Sequence, residues 1–414
     1  QPHSHPHPHN HNHSHPHNHN HTHTHTQSQP HSHPYPHTIT TTLTPTHNHN
    51  HTHPHPHTTN HSSAFDVELA QLTRNNFIEA RHRGRLILLG PDGDVHLALG
   101  DIHEPFYLRS AAKPLQAIGS MKAGAPLRGS QVAIACGSHR GTFEQMRAVQ
   151  DVLTQGSTET NPLTPANLAL KPSYPSDKQA RQAMVQANLA ATTLAHPCSG
   201  KHAAFLWACT AKLERGDLEE GSQNWTLHNY LDPAHPLQQV ITEEIEAFTG
   251  EPVAAIGVDG CGAPVHAVSL AGAARAYSTL GSAIRNLGAD ARASTVATAM
   301  VDYPELIQAP GSPDTVLSEE LDAIVKGGAE GVLCIGLRSG ASVVVKMSDG
   351  SHRVMYAVAL RALTAGGYLS AEECERLLAL VVRPVTGGYV DGKPVEVGEL
   401  RVHEELFTEA PEGK

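Results

Sequence analysis

The first 62 residues decide where a fold can lie. They alternate His with Pro, Asn, Thr and Ser, as in "HSHPHPHNHNHSHPHNHNHTHTHT", and contain no Asp, Glu, Lys or Arg. Twenty-two of the 33 His fall there. Such a stretch cannot bury enough apolar surface to offset the entropy of ordering its backbone. Residues 1–62 are therefore expected to form a disordered His-rich tail, and any core must come from residues 63–414. Closely spaced imidazoles also suit divalent cations and gain charge as pH falls through about 6.5. A His-rich metal-binding protein is thus one function class the sequence admits. The first residue is Gln rather than Met, which leaves room for an upstream segment.

The whole net charge of −11 belongs to residues 63–414. That length suffices for one large domain with a substantial core. An acidic domain without a basic stripe argues against nucleic acid as a partner. No apolar run approaches the roughly 18 residues of a membrane span, and the first residues lack the charged and apolar regions of a signal peptide. Six Cys, at 136, 198, 209, 261, 334 and 374, do not make a disulfide framework in so long a chain. They read as reduced thiols, and a cytoplasmic setting is expected.

Periodicity then divides the domain. "RLILLGPDGDVHLALGD" is two apolar runs around Pro91-Asp92-Gly93-Asp94, which predicts a hairpin. "TFEQMRAVQDVLTQG", "KQARQAMVQANLA", "CSGKHAAFLWACTAKLERG", "HPLQQVITEEIEAFTG" and "ARASTVATAMVDYP" carry helical spacing, with Pro236 at a first turn and Gly250 at an exit. "EPVAAIGVDGCGAPVH" predicts a short buried strand breaking into a Gly-rich turn. "EGVLCIGLRSGASVVVKMSDGSHRVMYAVALRALTAGG" predicts strand, turn, strand, turn, helix. Strands at both ends with helices between them predict an α+β sandwich, one antiparallel sheet completed by distant segments and packed by helices.

Five stretches could carry chemistry. "LRSAAKPLQA" holds Ser110 and Lys113 three residues apart, a spacing that shares a helix face. A serine hydroxyl needs a base, and a lysine serves only when burial or nearby charge lowers its pKa. On its own the pair is more often two ordinary residues on a wet face. "IACGSHRGT" ends an apolar run at Ser138 and His139, where a helix cap is an equally good reading. "HPCSGKHAAFL" brings Cys198, Lys201 and His202 within one helical turn. With Cys261 of "GVDGCGAP" it offers two thiols to a borderline metal such as zinc, against the plainer reading of Cys as packing. Asp259 in that turn could bind an ammonium or merely shape the turn. Lys326 of "VKGGAEG" precedes a Gly pair and could point into a cleft or into solvent.

Together "LRSAAKPLQA", "CGSHRGT", "CSGKHAAFL", "GVDGCGAP", "DYPELI", "VKGGAEG" and "VVVKMSDG" resemble the L-asparaginase II family of serine-dependent asparaginases, in family order over roughly residues 105–365. The resemblance implies a β-lactamase/glutaminase-like fold and hydrolysis of L-asparagine through a serine acyl-enzyme. It implies Ser110 as nucleophile with Lys113, and Ser138 with Lys326. It implies that Arg109, His139, His202 and Asp259 hold the amino-acid substrate, that Cys198, Lys201 and Cys261 bind Zn2+, and that the protein is a homodimer. Three departures stand out: no acidic residue directly follows "SHRGT", Gly262 occupies a place where a larger polar residue could stand, and the His tract has no counterpart. A glutaminase is the nearest alternative. A β-lactamase is more distant, since Ser-Asp-Asn and Lys-Thr-Gly are both missing.

Overall fold

The structure, a computed structural model, describes residues 65–215 and 225–408. The expected His-rich tail lies outside them. Strand β1 (Val67–Arg74) turns into β2 (Phe77–Leu89) through Asn75 and Asn76, both at positive φ. Asn tolerates that region better than most side chains, so the pair makes a tight hairpin. The second hairpin, from β2 to β3 (Val95–Leu99), runs around Pro91 to Asp94 as the sequence predicts.

After β4 (Phe106–Tyr107) comes a 3-10 turn (Arg109–Ala112) and then a helical layer: α1 (Lys113–Lys122), α2 (Ser130–Cys136), α3 (Phe143–Gly156), α4 (Lys178–Gln186), α5 (Ser199–Glu214) and α6 (Pro236–Thr249). Local chemistry fixes their ends. Thr142 and Gln145 form a capping box at α3, Pro236 sits in the first turn of α6, and Gly250 closes α6 in the left-handed conformation.

Next follow β5 (Ala255–Val258), β6 (Pro264–Val268), α7 (Leu270–Ser282), α8 (Ala291–Asp302) and α9 (Pro313–Leu321). The sequence predicts a single buried strand at "EPVAAIGVDGCGAPVH"; the structure instead folds it into a hairpin. Its first strand, β5, is mostly exposed, because it forms the outer edge of a small sheet ordered β4-β6-β5. The buried strand is β6, beyond the turn.

The chain continues with β7 (Ile324–Gly328), β8 (Val332–Gly336), β9 (Ser342–Met347), α10 (Met355–Ala365), α11 (Ala371–Val381), the hairpin β10 (Val385–Val390) and β11 (Lys393–Gly398), and β12 (Leu400–Val402). The main sheet has seven strands, in the order β12-β1-β2-β9-β8-β7 with β3 also on β2. Its pairs are antiparallel.

Helices cover both faces, and the side chains show it by alternation. On β2, Ile87 and Leu89 enter the core beneath α7, which continues into α1, α2 and α5, while Leu86 and Leu88 enter the core beneath α10 and α11. On β8 the same division separates Val332 and Cys334 from Leu333 and Ile335. Strands buried on both sides read as continuous apolar runs, which is how "LILL" and "VLCI" appear in the sequence. The result is the expected α+β sandwich. All six cysteines are free and buried. No helix among the described residues is long and apolar enough to cross a membrane.

Candidate active site

Strand β7 ends the main sheet, so its outer edge has no strand partner. The 3-10 turn at Arg109–Ala112 lies against that edge, and a β-carbon on Gly328 would come within 2.9 Å of the Leu108 carbonyl oxygen. A glycine is required for so close an approach. The contact opens a cleft of about 770 Å3 lined by Ser110, Ser138, Asp314, Lys326, Gly328 and Tyr356, among others. Its lining also takes in Arg383, between α11 and β10, and Thr386 of β10.

Ser110 stands at a strained corner. Arg109 has φ +51°, a region that L-residues other than Asn and Asp rarely occupy. Such a conformation costs on the order of 1–2 kcal/mol and persists only where packing imposes it. The Arg109 guanidinium is tied to Asp259 by an Nε–Oδ1 hydrogen bond of 2.9 Å. Asp259 also accepts the Gly260 amide hydrogen, so the "DGC" turn is locked to the turn that carries Ser110.

Lys113 opens α1 and is completely buried. Pro114 behind it occupies the first helical turn, which explains a proline inside an apparent helix. Sequence spacing predicts that Lys113 meets Ser110 across one helix face. The structure differs: Ser110 sits in the 3-10 turn, the Lys113 amide donates to Ser110 O, and among the described residues no hydrogen bond joins the two side chains. Lys113 Nζ donates instead to the carbonyls of Gly137 and Pro197 and lies 3.1 Å from Ser138 Oγ.

This arrangement has a chemical consequence. A neutral amine has two N–H bonds and one lone pair. With both hydrogens on the two carbonyls, the lone pair faces Ser138. Burial, together with the positive charges of Lys326 and Lys201, pulls the Lys113 amine down to about 8.

Ser138 follows the end of α2, where its own amide donates to Ile307 O at 2.7 Å. His139 beside it is 1 % exposed. Its Nδ1 accepts from the Gly141 amide and its Nε2 donates to Ser199 Oγ, which in turn donates to Leu194 O. Both ring nitrogens are thus engaged within the protein, and burial pushes the imidazole down to about 3.

The "CSGKH" stretch starts α5, with Cys198 at the N-cap position. Gly200 lets this end of the helix press on α2: a β-carbon there would lie 2.1 Å from the Ile134 carbonyl oxygen. The close approach gathers Cys198, Lys201 and Cys261. The two thiols and the Lys201 amine lie close enough to shift one another's acidity, and Cys261 Sγ stands 4.0 Å from Asp259 Oδ2. Of the thiol pair, Cys198 is held well below its usual range by Cys261 and by the cations of Lys113 and Lys201, and Cys261 is raised. Among the described residues no group of three or more His, Cys, Asp or Glu side chains gathers as a metal site.

His202 Nδ1 shares a hydrogen bond with Tyr230 Oη, 2.8 Å away, and that hydroxyl also accepts from the Ala169 amide. The other ring nitrogen, Nε2, is buried and has no partner among the described residues.

Lys326 lies within β7 rather than before it, with a fully buried amine. Its Nζ donates to Gly327 O at 2.6 Å and stands 3.6 Å from Asp314 Oδ2. Asp314 and Tyr356 are cleft residues that sequence reasoning missed. Asp314 reads as an ordinary first-turn residue of α9, and Tyr356 as part of an apolar helical stripe.

The comparisons can now be set beside this geometry. The sequence profile of L-asparaginase II matches residues 70–402. The chain belongs to the L-asparaginase II family. That membership makes it an asparaginase-type amidohydrolase by family. No curated protein matches. Among solved structures, similarity extends to "Crystal Structure Analysis of Mglu in its tris and glutamate form", at 13% identity and a TM-score of 0.37, covering 74% of this chain and 65% of that one. It extends also to "Crystal Structure Analysis of Mglu", at 13% identity and a TM-score of 0.35, covering 74% and 73%. The chain thus spans just under two thirds of the first of these structures.

Proposed function

We propose that this chain hydrolyses the side-chain amide of L-asparagine to aspartate and ammonia through an ester on Ser110. The observation that carries the reading is the buried Lys113 amine at 3.1 Å from Ser138 Oγ, with Ser138 and Ser110 lining one cleft. Ser110 Oγ attacks the amide carbon. Its proton passes to Ser138, which delivers its own to the Lys113 lone pair. Lys113 returns that proton by the same path to the leaving nitrogen, the C–N bond breaks, and ammonia departs. Water then attacks the β-aspartyl ester, releasing aspartate and restoring the Ser110 hydroxyl. Backbone amides near Ser110 stabilise the oxyanion, an effect commonly worth several kcal/mol.

Asp259 and Arg109 hold the α-ammonium and α-carboxylate, and His202 Nε2 supplies a further polar contact. These contacts fix the amide against the nucleophile. The lysine–Ser138 contact also favours a second reading, in which Ser138 itself is the nucleophile and Ser110 orients the substrate.

Two thiols and an amine close enough to shift one another's acidity are a plausible donor set for zinc. Cys198, Lys201 and Cys261 would hold it, and a bound cation would keep both sulfurs as thiolates and add positive charge beside the substrate turn. A homodimer and a reducing, cytoplasmic setting complete the proposal.

Ammonia release from Asn and Gln in parallel, with and without chelator, tests the activity and its substrate. Mass spectrometry of acid-quenched enzyme locates the ester. An adduct on the Ser110 peptide supports the first reading, and one on the Ser138 peptide the second. No ammonia from either amide overturns both.

A further inference from the structure

We propose that Asp314, locked by Tyr356, is a positioning residue for this hydrolysis, acting through Lys326 and the Gly327 edge of β7. The inference rests on the amidohydrolase reading above. Asp314 is 1 % exposed, yet its carboxylate is fully spoken for by groups outside its own helix. Oδ1 accepts the Tyr356 hydroxyl of α10 at 2.7 Å, and Oδ2 accepts the Gly327 amide of β7 at 2.8 Å. The same Oδ2 lies 3.6 Å from Lys326 Nζ. Gln308 holds the helix end by accepting from the Asp314 amide.

A first-turn Asp that served only its helix would turn back to the free amides of α9. This one turns away, to the neighbouring strand and α10. Gly327 permits it, since a β-carbon there would sit 3.2 Å from Asp314 Oδ1 and 3.3 Å from Oδ2.

The charge matters because of what surrounds Lys326. Lys113 faces it from α1, Cys136 from α2, Cys198 from the start of α5, Cys334 from β8 and Asp314 from α9. Of these only Asp314 is a carboxylate. Burial pulls the Lys326 amine down and Asp314 opposes it. The carboxylate therefore favours the charged form of Lys326 and fixes where that charge sits. Burial first lowers the Lys113 amine, and the Lys326 charge adds to that lowering. In this way one buried aspartate divides two lysines into a fixed charge and a base.

Asp314→Asn separates this from a purely structural role. The amide has the carboxylate's shape and can bond both Gly327 N–H and Tyr356 Oη, so it keeps the scaffold and removes only the charge. The expected result for folded Asp314→Asn is a fall in kcat of about tenfold or more, with KM nearly unchanged. The acid limb of its pH–rate profile should also move upward, as Lys113 loses a neighbouring cation. Tyr356→Phe keeps the charge but loosens its geometry, and should lower kcat less. A folded Asp314→Asn with wild-type kcat and pH profile overturns the inference and leaves the amidase reading intact. Should Asp314→Asn not fold, Tyr356→Phe decides: reduced kcat at constant KM supports, and an unchanged kcat overturns. Wild-type enzyme assayed alongside keeps the two failures apart, because no ammonia from wild type sinks both.

Discussion

Lys113 and Lys326 are both fully buried; Lys326 lines the cleft, and Lys113 stands behind Ser138, which lines it too. Their surroundings differ. Lys113 comes from a helix start, and its nearest partners are two neutral carbonyls and a serine hydroxyl. Lys326 comes from a strand edge and has a buried carboxylate beside it. Burial lowers both amines; the Cys198 thiol opposes it at Lys113, and the Asp314 carboxylate opposes it first at Lys326. The same residue type thus stands among neutral acceptors near a thiol pair in one place and beside a buried carboxylate in the other. Identity of side chain did not set the role; the company it keeps did.

The largest effect expected from breaking this contrast is at Lys113. Lys113→Met preserves length and apolar packing but removes the lone pair, and kcat should fall roughly 10²–10⁴-fold. Ser110→Ala should abolish turnover with the fold intact, as read by circular dichroism. An active Ser110→Ala enzyme gives the nucleophile to Ser138.

The contrast can be sharpened by pH. Lys113 must be neutral to accept a proton, so kcat/KM should rise with pH through about 8. A profile flat from pH 6.5 to 9.5 would count against Lys113 as the base. Substrate contacts come next. Asp259→Asn loses one charge-assisted hydrogen bond and frees Arg109, and KM should rise about tenfold or more. If only kcat fell, Asp259 would belong to the chemistry rather than to binding.

Smaller effects report on the scaffold that brings the walls together. Gly200→Ala must push α5 from α2 and should cost about 1–3 kcal/mol in urea unfolding. His139 gives a pH signature of defined sign. Its native imidazole stays neutral down to about 3, whereas an unfolded one takes a proton below about 6.5. The unfolded state then binds more protons, so stability falls as pH drops below about 6.5. His139→Gln should lose part of that slope between pH 7 and 5.5, seen as a smaller drop in unfolding free energy than in wild type.

Sequence and structure agree best where chemistry is local. Ser110, Lys113, Ser138 and Lys326 stand in short distinctive stretches; Ser110, Ser138 and Lys326 line one cleft, and Lys113 bonds Ser138 from behind it. The Asp-Gly hairpin and the helix ends were legible because capping and turn residues act over three or four positions. What escaped were partners defined only across space. Nothing near Lys113 in sequence says that its amine turns to Ser138, because the Gly137 and Pro197 carbonyls that steer it come from other segments. Asp314 looks like any acidic residue at a helix start until β7 is laid beside it. The strand expected to be buried at 255–258 is an edge, since an apolar run does not reveal whether another strand will cover it. The His-rich tail, outside the described residues, is tested by deletion: unchanged ammonia release without residues 1–62 would make it accessory.

The register of the main sheet has a consequence for how the enzyme comes into being. Leu86 must find Val345, and Ala70 must find Val402, before the central and outer strands are paired. A chain emerging from its N-terminus therefore holds β1 and β2 as an unmatched hairpin until nearly all of the sequence has followed. Contacts of such separation form late and slowly. The cleft shares that schedule, because Ser110 comes from the first part of the domain and Lys326 and Arg383 come from much later. The residues that line it are therefore brought together only after most of the domain has been made.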